Sequence, residues 1–364
     1  MLFSVAIVSI CRNRLGRNNA RYLPKDSEIW YNCHGQIARQ LGICRGRILK
    51  MDNIGKIIHD KALECGYDDC GIVAIEALDE YKTRLEQRIS RFPESAMING
   101  DAFLRLNEKY PWAKSVIICT EFYGKYKYPE SLQGKYAKAF LLSSSVPEYP
   151  GRKGKSDFET WLSDMGIHFA GGETNLPGRI LPLRQAAVAA GLGIFRKNNF
   201  FYGPKGSYYN LEGYLIDVRC EYIQETEIRP CSEKCDLCQK ACKTRALSGA
   251  YTMNPLSCVS FWTTFGGGNV PGHLSADQFG EWIMGCDACQ DACPYNRKHD
   301  WNKGEEYPGL SEVVELLRPE NIIAASDEEL IQRVLPRADH HIPPEKVGVL
   351  RVNAQRALRF DRAE

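Results

Sequence analysis

An α+β fold is predicted for this chain of 364 residues by three features of its sequence. Apolar segments of strand and helix length alternate between residues 51 and 220, which predicts an α/β domain with helices on a central sheet. Eight cysteines follow between residues 231 and 294. Segments with helical periodicity close the chain. The predicted parts are an α/β cofactor domain (51–220), a cysteine-rich module (221–300) and C-terminal helices (301–364).

Several elements of the α/β domain can be predicted individually. A helix begins just after Met51 and ends at Gly66, and Cys70–Ile75 is predicted as a buried strand. The apolar run Lys114–Thr120 predicts a strand buried on both faces, as in a parallel or mixed sheet. The remaining predictions are helices at Leu78–Arg91, Gly134–Leu142, Ser156–Met165 and Ile180–Ala190, and a strand at Tyr214–Val218.

The C-terminal part is predicted to be helical. Leu310–Leu317 and Lys346–Leu358 have apolar residues at helical spacing. Ser326–Val334 begins with a serine that can cap a helix and has acidic residues in its first turn.

Composition indicates an ordinary soluble protein of the cytoplasm. Charged residues make up 25% of the chain, the net charge is +2, and no run of 18 apolar residues occurs. Fifteen cysteines are too sparse for a small disulfide scaffold, and eight of them stand at metal-ligand spacing, which indicates a reducing compartment. We expect a cytoplasmic monomer without a membrane span.

The first fifty residues differ from the rest of the chain. They contain nine Lys and Arg residues and only Asp26 and Glu28 as acids, and they show no sustained helical or strand period. Because Met51 begins a domain-like pattern, we expect residues 1–50 to be a disordered extension or a misassigned start. A basic arm or an organelle transit peptide is the alternative.

The eight cysteines form two runs with the spacing of bacterial ferredoxins. The first is C-SEK-C-DL-C-QKA-C, and the second is C-DA-C-QDA-C followed by proline, with a single cysteine between them. In two-cluster ferredoxins the fourth cysteine of a run binds the other cluster. We therefore predict a ferredoxin-like module with two 4Fe-4S clusters. One set of ligands is Cys231, Cys235, Cys238 and Cys293, and the other is Cys242, Cys258, Cys286 and Cys289. Two zinc sites are the alternative.

A glycine-containing segment before the cysteines is a candidate cofactor pocket. It runs AGLGIFRKNNFFYGPKGSYYNLEGYLID from Ala190 to Asp217. Glycines expose backbone amides, and Arg or Lys can clamp a carboxylate or phosphate. The candidate pocket residues are Lys197, Asn198, Ser207 and Tyr208. A helix cap at Gly191 followed by a solvated basic turn is the alternative.

These residues carry a resemblance to the epoxyqueuosine reductase family, the cobalamin- and iron–sulfur-dependent enzymes of tRNA queuosine synthesis, which are related to the core of reductive dehalogenases. Matching stretches are GYDDCGIVAI, PWAKSVII, AAGLGIFRKNN, GSYYNLEGYLID, GCDACQDACPYN and LRVNAQRAL. The resemblance implies a reductase that passes electrons from a donor such as ferredoxin or flavodoxin, through two clusters, to cobalamin. It implies a small or tRNA-borne substrate.

The chain departs from the family pattern at the position of its proton donor. The family has an aspartate before the helix that leads to the glycine turn, and the corresponding position here lies near Pro177. Glu173 is the nearest carboxylate and the candidate replacement. The family also has a glycine where Arg196 stands, and its tRNA-gripping helical tail has no counterpart here. The resemblance is thus to a shortened, divergent paralogue, and a non-catalytic 4Fe-4S electron-transfer protein or partner subunit is the alternative function.

Overall fold

The computed structural model of the chain describes residues 53–93, 96, 106–171, 181–338 and 342–361. All described residues belong to one compact unit, Asn53–Glu364. The predictions for residues 1–50 therefore lie outside the described residues. In the part of the chain that the structure describes, no helix has the length and apolar character needed to cross a bilayer.

The α/β domain alternates helices and strands. In chain order its elements are α1 (Ile54–Glu64), β1 (Asp69–Ala74), α2 (Asp79–Arg91), α3 (Leu106–Lys109), β2 (Ser115–Phe122), α4 (Lys138–Leu141), α5 (Arg152–Asp164), β3 (Phe169–Gly171), α6 (Leu183–Ala189), β4 (Ile194–Phe195), β5 (Phe201–Tyr202) and β6 (Tyr209–Ile216). The predicted helices and strands of this region are present, but α4 is shorter and β6 begins earlier than predicted.

Four strands form one sheet, in the order β1-β2-β6-β3. Each neighbouring pair is antiparallel; Cys70 of β1 faces Cys119 of β2, for example. The expectation that Lys114–Thr120 belongs to a parallel or mixed sheet is therefore wrong. All eight residues of β2 are buried, so its continuous apolar run reflects burial on both faces, which helices provide here without parallel strands.

Helices cover both faces of this sheet. On one face, side chains of α1 and α5 such as Ile58 and Phe158 pack against Ile117 of β2. On the other face, Ala186 of α6 packs among Val116 and its neighbours. The sheet is thereby the centre of a three-layer arrangement, which is the architecture that the alternating pattern predicts.

A glycine turn leads the chain from α6 into the β4–β5 hairpin. Gly191 ends α6 with a φ of +76°, and a Cβ there would lie 1.7 Å from the carbonyl oxygen of Gln224. Only glycine suits both the backbone angle and this close approach. The turn starts the β4–β5 hairpin, which contains residues 196–200 at its tip.

The cysteine-rich module has short helices and loops. Its helices are α7 (Leu237–Ala241), α8 (Val259–Thr263) and α9 (Ala288–Asp291), and the tail adds α10 (Pro319–Ala324), α11 (Asp327–Glu329), a π-helical turn at Leu330–Val334 and α12 (Gly348–Asp361). Ser326 caps α11 by accepting from the amide of Glu329, as predicted. The predicted helix at Leu310–Leu317 is instead a series of turns, although Leu310 and Leu317 are buried in the core as its periodicity required.

Candidate metal centre

Four of the eight cysteines surround one cavity in the module. Cys231, Cys235 and Cys238 line it from the first run, and Cys293 lines it from the second. The cavity is partly open to solvent. Among the described residues, no group of three or more His, Cys, Asp or Glu side chains is arranged to hold a single metal ion. In a 4Fe-4S cubane each thiolate binds a different iron atom, so the ligands surround a cluster-sized space, and the arrangement of these four cysteines suits that role.

The other four cysteines lie close to one another elsewhere in the module. Burial raises the pKa of the thiols of Cys258, Cys286 and Cys289, and nearby cysteines of the same group raise it further. Cys242 lies near all three of these thiols and raises the pKa of each. Because iron binds the thiolate, binding of a cluster here must release these protons.

Each of the two cysteine groups contains one cysteine from the other run. Burial raises the pKa of the Cys238 thiol, and the nearby Cys231, Cys235 and Cys293 raise it further, although Cys293 belongs to the second run. Cys242, the last cysteine of the first run, joins the second group instead. Helices α7 and α9 pack together and bring the runs into contact. The two groups have the same members as the two predicted ligand sets, and the role of these cysteines as cluster ligands stays a prediction.

Lys197, predicted as a cofactor ligand, holds the loop of the first group. Its Nζ donates to the carbonyl oxygens of Ser232 (2.8 Å), Glu233 (2.7 Å) and Cys235 (2.9 Å). These acceptors belong to the loop between the first two cysteines. The ammonium group therefore gathers the carbonyls of that loop, and it also satisfies its own three donors.

The other three predicted pocket residues contact helix α9 of the second run. Asn198 donates to the carbonyl of Cys289 (3.1 Å), and Ser207 donates to Gln290 (2.8 Å). The Tyr208 hydroxyl donates to Asp291 (2.8 Å). The donor groups of these residues and of Lys197 are thus engaged by protein acceptors, and as arranged they do not present a free polar pocket to cobalamin. Their role in cofactor binding stays a prediction.

A buried ionic group connects the α/β domain to the second run, and sequence reasoning missed it. Lys138, at the start of α4, is 2% exposed; its Nζ lies 3.3 Å from Asp287 and 2.9 Å from Asp291. The Lys138 amide also donates to Asp287 (2.8 Å). Burial alone would lower the pKa of Lys138, but the two aspartates raise it above its ordinary value. The ammonium is therefore charged, and it ties α4 to residues beside Cys286 and Cys289. Asp287 and Asp291, which lie inside the second run, are the sequence feature from which this ionic group could have been predicted.

The tail helix α12 supports the same loops. Asn353 is fully buried and donates to the carbonyls of Thr263 (2.9 Å) and Ile283 (2.8 Å). The Thr263 hydroxyl accepts from the amide of Gly285, which precedes Cys286. The tail thereby fixes the backbone leading into the second run.

The candidate proton donor cannot be placed in the same way. Glu173 and the position near Pro177 lie in residues 172–180, outside the described residues. Glu173 therefore stays a prediction from the sequence.

Replacing Lys197 by methionine is expected to loosen the first cysteine group selectively. The change removes three hydrogen bonds from a charged donor, each of which contributes about 1.5–3 kcal/mol. We expect the first cluster to be lost to a chelator at least about tenfold faster, a difference of about 1.4 kcal/mol, and the second to be retained. Lys205→Met is the matched control, because Lys205 is 57% exposed and pairs with Asp68 instead. Equal loss rates in both variants would contradict the role given to Lys197.

Comparison with known families identifies the cysteine-rich module. The model of a 4Fe-4S double cluster binding domain matches residues 231–296. This match includes both cysteine runs and the single cysteine between them. The chain thus contains a double 4Fe-4S binding domain, which favours iron–sulfur clusters over the zinc alternative.

Curated relatives extend the similarity beyond the module. The chain is 29% identical to the epoxyqueuosine reductase of Staphylococcus aureus over 255 residues, which is 66% of this chain and 64% of the relative. It is 28% identical to that of Cellulophaga algicola over 249 residues, 66% of this chain and 78% of the relative. The alignment thus spans less than two thirds of the Staphylococcus aureus protein.

Solved structures share the fold. The epoxyqueuosine reductase of Bacillus subtilis matches with a TM-score of 0.67 and 23% identity, over 85% of this chain and 82% of that protein. An epoxyqueuosine reductase solved with an epoxyqueuosine-modified tRNA-Tyr stem loop matches with a TM-score of 0.64 and 22% identity, over the same shares. The predicted α+β fold and the resemblance to this family are confirmed.

Proposed function

We propose that this chain, a relative of the epoxyqueuosine reductases, is an iron–sulfur reductase whose two 4Fe-4S clusters pass electrons to a cofactor in the α/β domain. The observation that carries the proposal is one continuous segment, residues 197–208, which lies between β4 and β6 and contacts both cysteine groups. Lys197 holds the loop of Cys235, and Asn198 holds the carbonyl of Cys289. A fixed position of both clusters against the α/β domain is what electron transfer into that domain requires.

Cobalamin is the cofactor we propose, because the relatives share this fold and the resemblance implies it. It would supply the reducing centre when bound. The polar donors of four predicted pocket residues bind acceptors in the two cysteine runs; these residues are Lys197, Asn198, Ser207 and Tyr208. In this proposal they fix the clusters beside the cofactor. Electrons would come from a carrier such as ferredoxin or flavodoxin. The proposed substrate is an oxidised small molecule or tRNA-borne epoxyqueuosine.

The cofactor is tested by the visible spectrum of the protein. Anaerobically reconstituted protein should change the absorbance of added cobalamin and retain the cofactor through gel filtration. A spectrum that is the sum of the two components, with all cobalamin eluting free, would remove cobalamin from the proposal. The substrate is tested separately with tRNA from a deletion strain, in which epoxyqueuosine should accumulate if the tRNA-borne substrate is correct.

A second function, a non-catalytic electron carrier, is favoured by one specific observation. The donors of the four predicted pocket residues are already engaged by the cluster loops. A carrier needs those contacts and no organic cofactor. Rapid anaerobic electron exchange with ferredoxin or flavodoxin, without any change in the cobalamin spectrum, would favour the carrier over the reductase.

A further inference from the structure

Arg196 reaches the first cysteine group from the tip of the β4–β5 hairpin. It is 2% exposed. Its Nη1 donates to the Cys231 sulfur at 3.5 Å, and its Nη2 donates to the carbonyl of Arg229 at 2.7 Å. The guanidinium lies 3.3 Å from the centre of the Tyr295 ring. The side chain is therefore held in place from two sides, with one N–H directed at a cluster ligand.

The same guanidinium has a spare donor beside the cavity. Arg196 lines the space enclosed by Cys231, Cys235, Cys238 and Cys293. Its Nε is buried and has no hydrogen-bond partner among the described residues. A buried N–H without an acceptor is costly. The sulfur-rich surface of a cluster would offer an acceptor at this position.

No carboxylate among the described residues forms an ion pair with Arg196. None of the ion pairs found among the described residues includes Arg196. Its contacts include a thiol, a carbonyl, the Tyr202 ring and both the ring and the hydroxyl of Tyr295. Arginine stays protonated at all relevant pH values. Lys138, next to the second group, differs because two aspartates surround it. Among the described residues, Arg196 therefore brings a buried positive charge without a paired carboxylate to the first group, whereas two aspartates balance Lys138 beside the second group.

From this geometry we propose that Arg196 raises the reduction potential of the first cluster and leaves that of the second unchanged. Reduction adds one negative charge to a cluster, and N–H···S hydrogen bonds and nearby positive charge stabilise that charge. Arg196 supplies both, at a buried position where solvent screens them little. The inference rests on the proposed function, because it takes the first cysteine group to hold a 4Fe-4S cluster.

Potentiometric titration followed by electron paramagnetic resonance tests this directly. In Arg196→Met, the ratio of reduced to oxidised first cluster at a fixed potential should fall at least about tenfold, which is about 59 mV for a one-electron couple. The second cluster is the internal control and should titrate as in the unaltered protein. Lys240→Met is the matched control, because this lysine of α7 is 71% exposed and its charge is screened.

Two further variants keep the test decisive if methionine prevents assembly of the first cluster. Arg196→Lys keeps the charge and loses the planar fork, whereas Arg196→Gln keeps a neutral donor. Both should lower the reduced fraction, by less than methionine does. An unchanged first cluster in the variants that assemble, or an equal shift of both clusters, would overturn the role of Arg196. Failure of the unaltered protein to assemble any 4Fe-4S cluster would instead overturn the proposed function.

Discussion

Serine at Cys293 is expected to abolish the same cluster as serine at Cys231, although 61 positions separate them in the sequence. Cys293 lines the cavity of the first run, so its loss removes a ligand from that cluster. Serine at Cys242 should likewise match serine at Cys286, because both belong to the second group. Iron should fall from about eight to about four atoms per chain in each variant.

The measurement is iron and sulfide analysis combined with the paramagnetic resonance spectrum of the remaining reduced cluster. The spectra of Cys293→Ser and Cys231→Ser should agree with each other and differ from that of Cys242→Ser. Cys65→Ser is the control, since Cys65 is a partly buried residue of the α/β domain and should leave both clusters intact. A Cys293→Ser spectrum equal to that of Cys286→Ser would show that each run holds its own cluster. Zinc without iron in the unaltered protein would refute the iron–sulfur assignment altogether.

The division of the cysteines into two groups could be anticipated in large part because cysteine spacing is local information. Three thiols separated by two or three residues can reach one cluster whatever surrounds them, and the module recurs in many contexts. Burial of β2 on both faces could also be predicted from the sequence, because Val116, Ile117 and Ile118 are consecutive apolar residues. Its antiparallel pairing could not be predicted, because the relative direction of paired strands depends on how segments distant in the sequence come together.

The roles of the polar residues depended on distant partners and could not be derived from the sequence. Lys197 and Asn198 stand out as donors near glycines, but their acceptors are carbonyls of residues 232–235 and 289. Any segment could have supplied such carbonyls. Leu310–Leu317 shows the same limit: its apolar spacing correctly predicts burial, but turns place those side chains in the core as well as a helix would.

Lys138→Met is expected to lower the free energy of unfolding by about 3–5 kcal/mol, the cost of removing one partner from a buried ion pair. Asp287 is 1% exposed and depends on Lys138 for its charge compensation. Burial raises the pKa of Asp287, and Lys138 opposes that rise. Without the ammonium, Asp287 must either stay charged in an apolar site or take up a proton at neutral pH. Either alternative costs stability.

The loss should fall on the second cluster, because Asp287 lies between Cys286 and Cys289. The urea midpoint of anaerobically reconstituted protein and the spectrum of each cluster measure the two effects together. Lys135→Met is the matched control: its partner Glu281 and Lys135 itself remain 28–29% exposed, so about 0–1 kcal/mol is expected. Equal losses in the two variants would contradict the importance of burial.

A second substitution separates the unpaired charge from the lost packing of the lysine stem. In Lys138→Met combined with Asp287→Asn, the asparagine oxygen can still accept from the backbone amide of residue 138, which Asp287 now binds at 2.8 Å, but no charge is buried. We expect this double variant to recover more than half of the stability lost by Lys138→Met alone, because the penalty comes from the uncompensated carboxylate. A double variant as unstable as the single one would place the cost in the contacts of Lys138 with Tyr128, Tyr208 and Trp301 instead. Recovery would show that the ion pair is needed because the buried carboxylate is there.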